Sequence, residues 1–248
     1  MNIIKKAVVL CAGHGKRMSP YTNVIPKELL SLGNYSVLEV ILNELKNSEI
    51  KEVLIVLSES KNLIFQCVYE WKKRNRSDIK FFFTFQSGLY GTAGWIEDAL
   101  PFCNEDFALI YPDMIVSSRV SVIKQLSEIY YHFDAEIIAT KRIPSLETEK
   151  YGWIEQSDKH KVIRIREKEL CLDGAFAQIV AGRFIIKQNS LKLLSAIQPV
   201  NGELRFTDII NEYALKNDVY SYEYSGKTFD TGNINDYRYA VNNYKEYN

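Results

Sequence analysis

The sequence predicts an α/β protein with a mostly parallel central mixed sheet flanked by helices. Short apolar runs alternate with helix-patterned segments through the first half, the order that yields parallel strands joined by crossover helices. The first of these runs stops abruptly at two closely spaced glycines, Gly13 and Gly15; in such sheets ligands sit beyond the carboxyl ends of the strands. The chain has 248 residues, 46% of them hydrophobic and 25% charged, enough apolar material for a well-buried core in an ordinary globular protein.

Ala7–Leu10 is the first strand. Leu38, Ile41, Leu42 and Leu45 recur at helical spacing and mark an amphipathic helix. Val53–Leu57, Phe81–Phe85, Phe107–Tyr111 and Ile137–Thr140 are apolar runs of strand length, with helices expected over about 62–71, 92–99 and 120–131 between them. The second half changes character. Tyr151–Glu155 and Val162–Glu167 flank Ser157-Asp158-Lys159, a hairpin signal. Ile179–Ile186 reads as a strand and Phe206–Leu215 as a helix with Thr207 at its start. A last strand, Tyr220–Tyr224, precedes a tyrosine-rich helix. No repeat, low-complexity tract or linker interrupts the pattern, so a single domain over 1–248 is expected, with a β-rich subregion at about 140–190.

Charge and cysteine usage narrow the partners. Lys plus Arg (31) equals Asp plus Glu (31), so neither nucleic acid nor an anionic membrane is expected to bind. The run Lys72, Lys73, Arg74, Arg76 reads as a solvated helix end. Cys11, Cys67, Cys103 and Cys171 are widely spaced and form no CxxC pair; this implies no disulfide framework or zinc site and suits a reducing compartment. Lys5 and Lys6 precede only a short apolar stretch, and no segment approaches spanning length. A cytoplasmic protein is expected.

The chemistry concentrates in residues 6–30, KAVVLCAGHGKRMSPYTNVIPKELL. A glycine loop after a strand leaves backbone N–H groups uncovered, and Lys16, Arg17 and Lys27 surround it with positive charge, an arrangement suited to a polyphosphate. Met18 stands where a dinucleotide loop needs its third glycine, and no Gly-Lys-Ser/Thr of a P-loop is present. Elsewhere, Asp113 ends the strand in LIYPDM and Asp230 lies in KTFDTGN. Three scattered histidines, His14, His132 and His160, give no Ser–His–Asp arrangement.

The loop with Pro20, Thr22, Pro26 and Lys27 resembles the signature of the sugar-1-phosphate nucleotidylyltransferases, strand then GxGTRxxPxT then a PK pair. IPKELL is most similar to the bacterial UTP–glucose-1-phosphate uridylyltransferases. The resemblance extends from Lys6 to about Ala240 and implies a Rossmann-like fold. It implies transfer of a nucleotidyl group, from UTP or dTTP, to a sugar 1-phosphate such as glucose 1-phosphate, with release of pyrophosphate. By the same resemblance, Ala12, Gly13 and Gly15 contact the nucleotide, Arg17 stabilises triphosphate charge and Lys27 binds phosphate oxygens. Asp113 and Asp230 are implied ligands of Mg²⁺, which takes one or two carboxylates plus phosphates and water.

Gln86, Gly91 and Thr92 match the family's Q…LGTAG base-reading segment. Gly152, Glu167 and Lys168 match its sugar-phosphate segments, placing acceptor binding in the 140–190 subregion. The departures are Lys16 for threonine, Met114 for a second acid, and Glu169 for a proline; the stretch Gly174–Val180 also lacks an asparagine segment. Two other readings stay open: a CTP-using enzyme for a different phosphorylated acceptor, and a non-catalytic nucleotide-sugar-binding relative. The sequence leaves the oligomeric state open, a homo-oligomer included.

Overall fold

The apolar runs of the first half become the parallel centre of a nine-stranded sheet. The architecture is that of a computed structural model, which describes residues 4–87, 91–199 and 202–245. From β1 (Lys6–Cys11) the chain passes through the glycine loop and a small hairpin, β2 (Ser31–Leu32) and β3 (Tyr35–Ser36), into α1 (Val37–Lys46). Then follow β4 (Glu52–Leu57), α2 (Leu63–Asn75), β5 (Lys80–Phe85), α3 (Ile96–Ala99) and β6 (Phe107–Ile110). β7 (Met114–Ser117), α4 (Val122–Phe133), β8 (Glu136–Pro144), β9 (Gly152–Gln156), β10 (Val162–Glu167) and β11 (Phe176–Ile186) come next. α5 (Phe206–Ala214), β12 (Val219–Glu223), β13 (Lys227–Asp230) and α6 (Ile234–Asn243) complete the described chain.

The sheet runs β10-β9-β11-β6-β1-β4-β5, with β8 on β11 and β12 on β8. β6, β1, β4 and β5 are mutually parallel, whereas β11 pairs antiparallel with β6, β8 and β9. Alternation along the strands supplies two apolar faces. Ala7, Val9 and Cys11 of β1 and Val53, Ile55 and Leu57 of β4 pack with α1, α2 and α4. Val8, Leu54 and Val56 point the other way, toward α3 and α5. Strands buried on both faces are the parallel-sheet pattern the continuous apolar runs require. α1 begins with a capping box, Ser36 accepting from the Glu39 N–H while the Glu39 carboxylate accepts from Ser36 N–H.

Several elements differ from the sequence expectation. The helix expected over 92–99 shrinks to α3, because Gly91 takes a positive φ of 117° and the Trp95 indole bonds the Thr92 carbonyl. Thr207 does not cap α5; the Phe206 N–H is met by Thr92 Oγ1 at 2.9 Å from another segment. Asp113 is followed directly by β7, which pairs antiparallel with β13 in a separate two-stranded sheet. All four cysteines are free, three of them buried. Among the described residues no helix is long and apolar enough to cross a membrane.

Glu136, opening β8, is fully buried and accepts the Lys187 N–H at 3.1 Å. Burial pushes its carboxyl up to about 8, although the Lys187 N–H opposes the shift. The folded protein therefore keeps a proton that the unfolded chain, with a glutamate pKa of about 4.3, has released. This contribution to stability is complete below about pH 4 and is lost as pH rises through about 8. Glu136→Gln is expected to flatten that dependence and raise stability at alkaline pH by about 1 kcal/mol or more. Urea unfolding at acidic and alkaline pH measures it; an unchanged pH slope counts against the assignment.

Candidate active site

The carboxyl ends of β1 and β6 bring together what the sequence separates. After Cys11 the chain turns at Gly15, whose φ of 67° suits glycine. Thr22 Oγ1 donates to the Gly15 carbonyl at 2.9 Å, and a β-carbon on Gly15 would meet Thr22 Cγ2 at the same distance. The following 3₁₀ turn, Lys16–Met18, buries Met18 and leaves Lys16 and Arg17 exposed. Ala12 is half-buried and packs against the sheet's second apolar face. After another 3₁₀ turn at Tyr21–Asn23, Pro26 starts a third, Lys27–Leu29. Lys27 Nζ lies 2.9 Å from Asp113 Oδ2 and 4.0 Å from where a β-carbon on Gly13 would sit.

Asp113 occupies the turn between β6 and β7. Its carbonyl accepts the Thr231 N–H at 2.7 Å and the Thr231 hydroxyl at 3.1 Å. The β7–β13 register sets Asp230 opposite Met114. A β-carbon on Gly232 would sit 2.9 Å from Asp230 Oδ1, 3.3 Å from an Arg17 guanidinium nitrogen and 3.7 Å from Asp113 Oδ2. Arg17, Lys27, Asp113 and Asp230 therefore surround one small space.

The two carboxyls have unlike environments. Burial works to raise Asp113, but the Lys27 ammonium, with help from Arg17, outweighs it and holds that carboxyl below its ordinary value. Asp230 shifts upward through burial; the Gly232 N–H opposes the shift, and the negative charges of Asp113 and Asp236 add to it. Two acids sharing a space, one favoured as the anion and one disfavoured, call for a cation between them.

A residue that sequence reasoning missed secures this turn. Arg183 on β11 is 1% exposed. Its Nη1 donates to the carbonyls of Tyr111, Met114 and Gly182 at 3.0–3.1 Å, while Nε and Nη2 hold Glu44 Oε2 at 3.0 and 2.8 Å. The signal available was a lone arginine inside the apolar run 179–186.

The other predicted residues form two groups. Gln86 follows β5, its N–H donating to the Leu57 carbonyl at 2.8 Å. Gly91 lies against Leu204, whose carbonyl oxygen would be 2.4 Å from an added β-carbon. Residues 88–90 between them lie outside the described residues. Gly152 and Glu167 face each other across the β9–β10 pair, a β-carbon on Gly152 falling 3.2 Å from Glu167 Oε1. Lys168 has a positive φ of 56°, and its N–H donates to the Tyr151 carbonyl at 3.0 Å. Tyr151 and Asp230 line the same cavity, and burial together with the Asp230 carboxylate pushes the phenol upward. Tyr151, next to the start of β9, thus lies on the side of the aspartate pair. That cavity, of about 340 Å³, is also lined by Lys141, Lys227 and Tyr239 among others. A larger cavity of about 610 Å³, behind Ala93 and Leu204, touches none of the four converging charged residues.

Fixed cations around a glycine loop, facing paired carboxylates, suit the handling of a polyphosphate, the work of phosphoryl- and nucleotidyl-transferring enzymes. The chain belongs to the nucleotidyl transferase family, whose sequence model matches residues 6–247. It is similar to the UTP–glucose-1-phosphate uridylyltransferase of Mycoplasma genitalium, 30% identical and covering 92% of this chain and 87% of that protein. The protein of the same name from Staphylococcus epidermidis is 27% identical, covering 94% and 89%. Among solved structures, a UDP-glucose pyrophosphorylase complexed with UDP-glucose superposes with a TM-score of 0.87 at 26% identity, covering 97% of this chain and 98% of the other. The chain is thus an enzyme of the nucleotidyltransferase class.

Proposed function

We propose that this enzyme joins UTP or dTTP to a sugar 1-phosphate, glucose 1-phosphate foremost, and releases pyrophosphate. The observation that carries the reading is the convergence of Arg17, Lys27, Asp113 and Asp230 beyond the β1 and β6 ends. In the reaction an acceptor phosphate oxygen attacks the α-phosphorus in line. A new P–O bond forms as the bond to the β-phosphate bridge breaks, and the electron pair leaves with pyrophosphate. The nucleophile is already an anion at neutral pH, so catalysis needs positioning and charge neutralisation rather than a base.

The residues divide that work. The open backbone around Ala12, Gly13 and Gly15 receives the nucleotide. Arg17 meets charge growing on the departing pyrophosphate, and Lys27 holds phosphate oxygens. Glu167 and Lys168, carried by the 140–190 subregion, bind sugar hydroxyls and the acceptor phosphate. Gln86 and Gly91 read the base, while Thr92, whose hydroxyl accepts from α5, shapes the loop behind it.

The residues present fit Mg²⁺. Among the described residues no group of three or more His, Cys, Asp or Glu could hold a metal, but two hard carboxylates beside an incoming triphosphate suffice for this ion. The Gly232 cradle leaves room between them. Asp113 and Asp230 would hold the ion, which when bound supplies charge neutralisation to the phosphates.

Measuring kcat/KM for UTP, dTTP, CTP, ATP and GTP against a panel of sugar 1-phosphates, scored by pyrophosphate release, tests the reading. UTP or dTTP is expected to exceed both purines at least about tenfold, because each unmet base-edge hydrogen bond costs roughly 1–3 kcal/mol. A purine preference defeats the base assignment. A CTP preference favours a different phosphorylated acceptor, and no turnover with any pair favours a binding protein.

A further inference from the structure

We propose that the buried Glu28–Lys61 ion pair is the positioning device for Lys27, setting the direction of its ammonium toward the phosphate site. The proposal rests on the reading of Lys27 as a phosphate-binding residue. Glu28 is 0% and Lys61 4% exposed, and Lys61 Nζ lies 2.8 Å from each Glu28 carboxylate oxygen. Both charges are satisfied by one another, far from solvent.

Stability alone does not account for such a pair. A buried ion pair is commonly no better for the folded state than apolar side chains of similar size, because desolvation offsets the attraction. Its location supplies the reason. Glu28 is the residue after Lys27 within the 3₁₀ turn Lys27–Leu29. Lys61 belongs to the connection between β4 and α2, its N–H donating to the Ser58 carbonyl and its own carbonyl accepting from Ile64. One ammonium gripping both oxygens ties the Lys27–Leu29 turn to the connection that leads into α2.

The turn geometry converts that tie into aim. Successive residues of a 3₁₀ helix project roughly 120° apart. Fixing Glu28 inward therefore swings Lys27 outward, to Asp113 at 2.9 Å and beside Gly13. The turn's own main-chain bonds are local, from Leu29 N–H to Pro26 and Leu30 N–H to Lys27; they define its shape without fixing its rotation. Cys11, fully buried at the end of β1, feels the charges of Glu28, Lys61 and Lys27 together. The pair and the phosphate lysine thus lie in one neighbourhood under the glycine loop. Glu28 and Lys61 are buried beneath the site and act through Lys27, so they are positioning residues.

The test uses the full chain and the Glu28→Leu/Lys61→Met double variant, which keeps the interior filled and uncharged. Its thermal midpoint is expected within a few degrees of the parent. Its kcat should fall at least about tenfold while the triphosphate KM changes less than about threefold, a split that follows from misplacing a group used in the transition state. Adding Lys27→Ala to the double variant should cost much less than adding it to the parent, since residues acting through one group are not additive. Lys61→Arg, which preserves the pair, should retain most of kcat. A folded double variant with parental kcat, or equal Lys27→Ala losses in the two backgrounds, overturns the proposal. Should the double variant not fold, Glu28→Asp decides: it keeps the charges but shortens the tether, and kcat within twofold of the parent overturns it. If Lys27→Ala alone leaves kcat unchanged, the underlying reading of Lys27 fails; if that loss is severe but the pair variants are silent, only this inference fails.

Discussion

Asp113→Asn is expected to reduce turnover by about a thousandfold or more, with the fold intact. A carboxylate lost from a metal–phosphate contact in the transition state costs several kcal/mol, and each 1.4 kcal/mol or so is tenfold in rate. Asparagine keeps the volume and one oxygen but removes the charge that pairs with Lys27. The turn itself should hold. Its main chain is gripped by Thr231 on one side and by Arg183 on the other, and neither contact uses the Asp113 side chain. Steady-state pyrophosphate release alongside a melting curve separates the two effects. A folded variant within tenfold of parental kcat removes Asp113 from the catalytic set.

Arg17→Ala should show the same severity by a different signature. Arg17 is exposed in a 3₁₀ turn anchored by buried Met18, so its loss leaves the packing unaltered. Its guanidinium points into the space between the two aspartates. A cation matched to charge that develops only as pyrophosphate departs acts on the chemical step, and removing such a group commonly costs about 100- to 1000-fold in kcat. The nucleotide KM should move less than about threefold. A raised KM with unchanged kcat would make Arg17 a ground-state binding residue instead.

The central strands were legible because burial on both faces demands apolar runs in β1, β4 and β6. The small sheet of β7 and β13 was not. Met114–Ser117 follows β6 after a three-residue turn, so a periodicity reading merges the two or leaves the second as loop. Its partner lies more than a hundred residues away and is chosen by tertiary packing. At the site, glycines and lysines near one another in sequence could be read together as a loop. That Lys27 should touch Asp113, or Tyr151 share a cavity with Asp230, depends on which strand ends become neighbours, and this is a property of sheet order. Arg183 and the Glu28–Lys61 pair were missed for a related reason. Arg183 stands out as a lone charge in an apolar run, but what it and the Glu28–Lys61 pair do follows only from partners that are distant in the chain.

The pairing of β13 with β7 has a consequence for the protein during its synthesis. A nascent chain that has emerged as far as β12 already possesses the glycine loop, Lys27 and Asp113, with strands enough to collapse around them. It lacks Asp230, Thr231 and the strand that holds them against β7. Such a chain has half of the carboxylate pair and none of the tie on the Asp113 carbonyl. On the assignment proposed above, in which Asp113 and Asp230 together hold the ion, a chain shortened after β12 is expected to show no turnover, because only the docking of β13 on β7 brings the second carboxylate to the site.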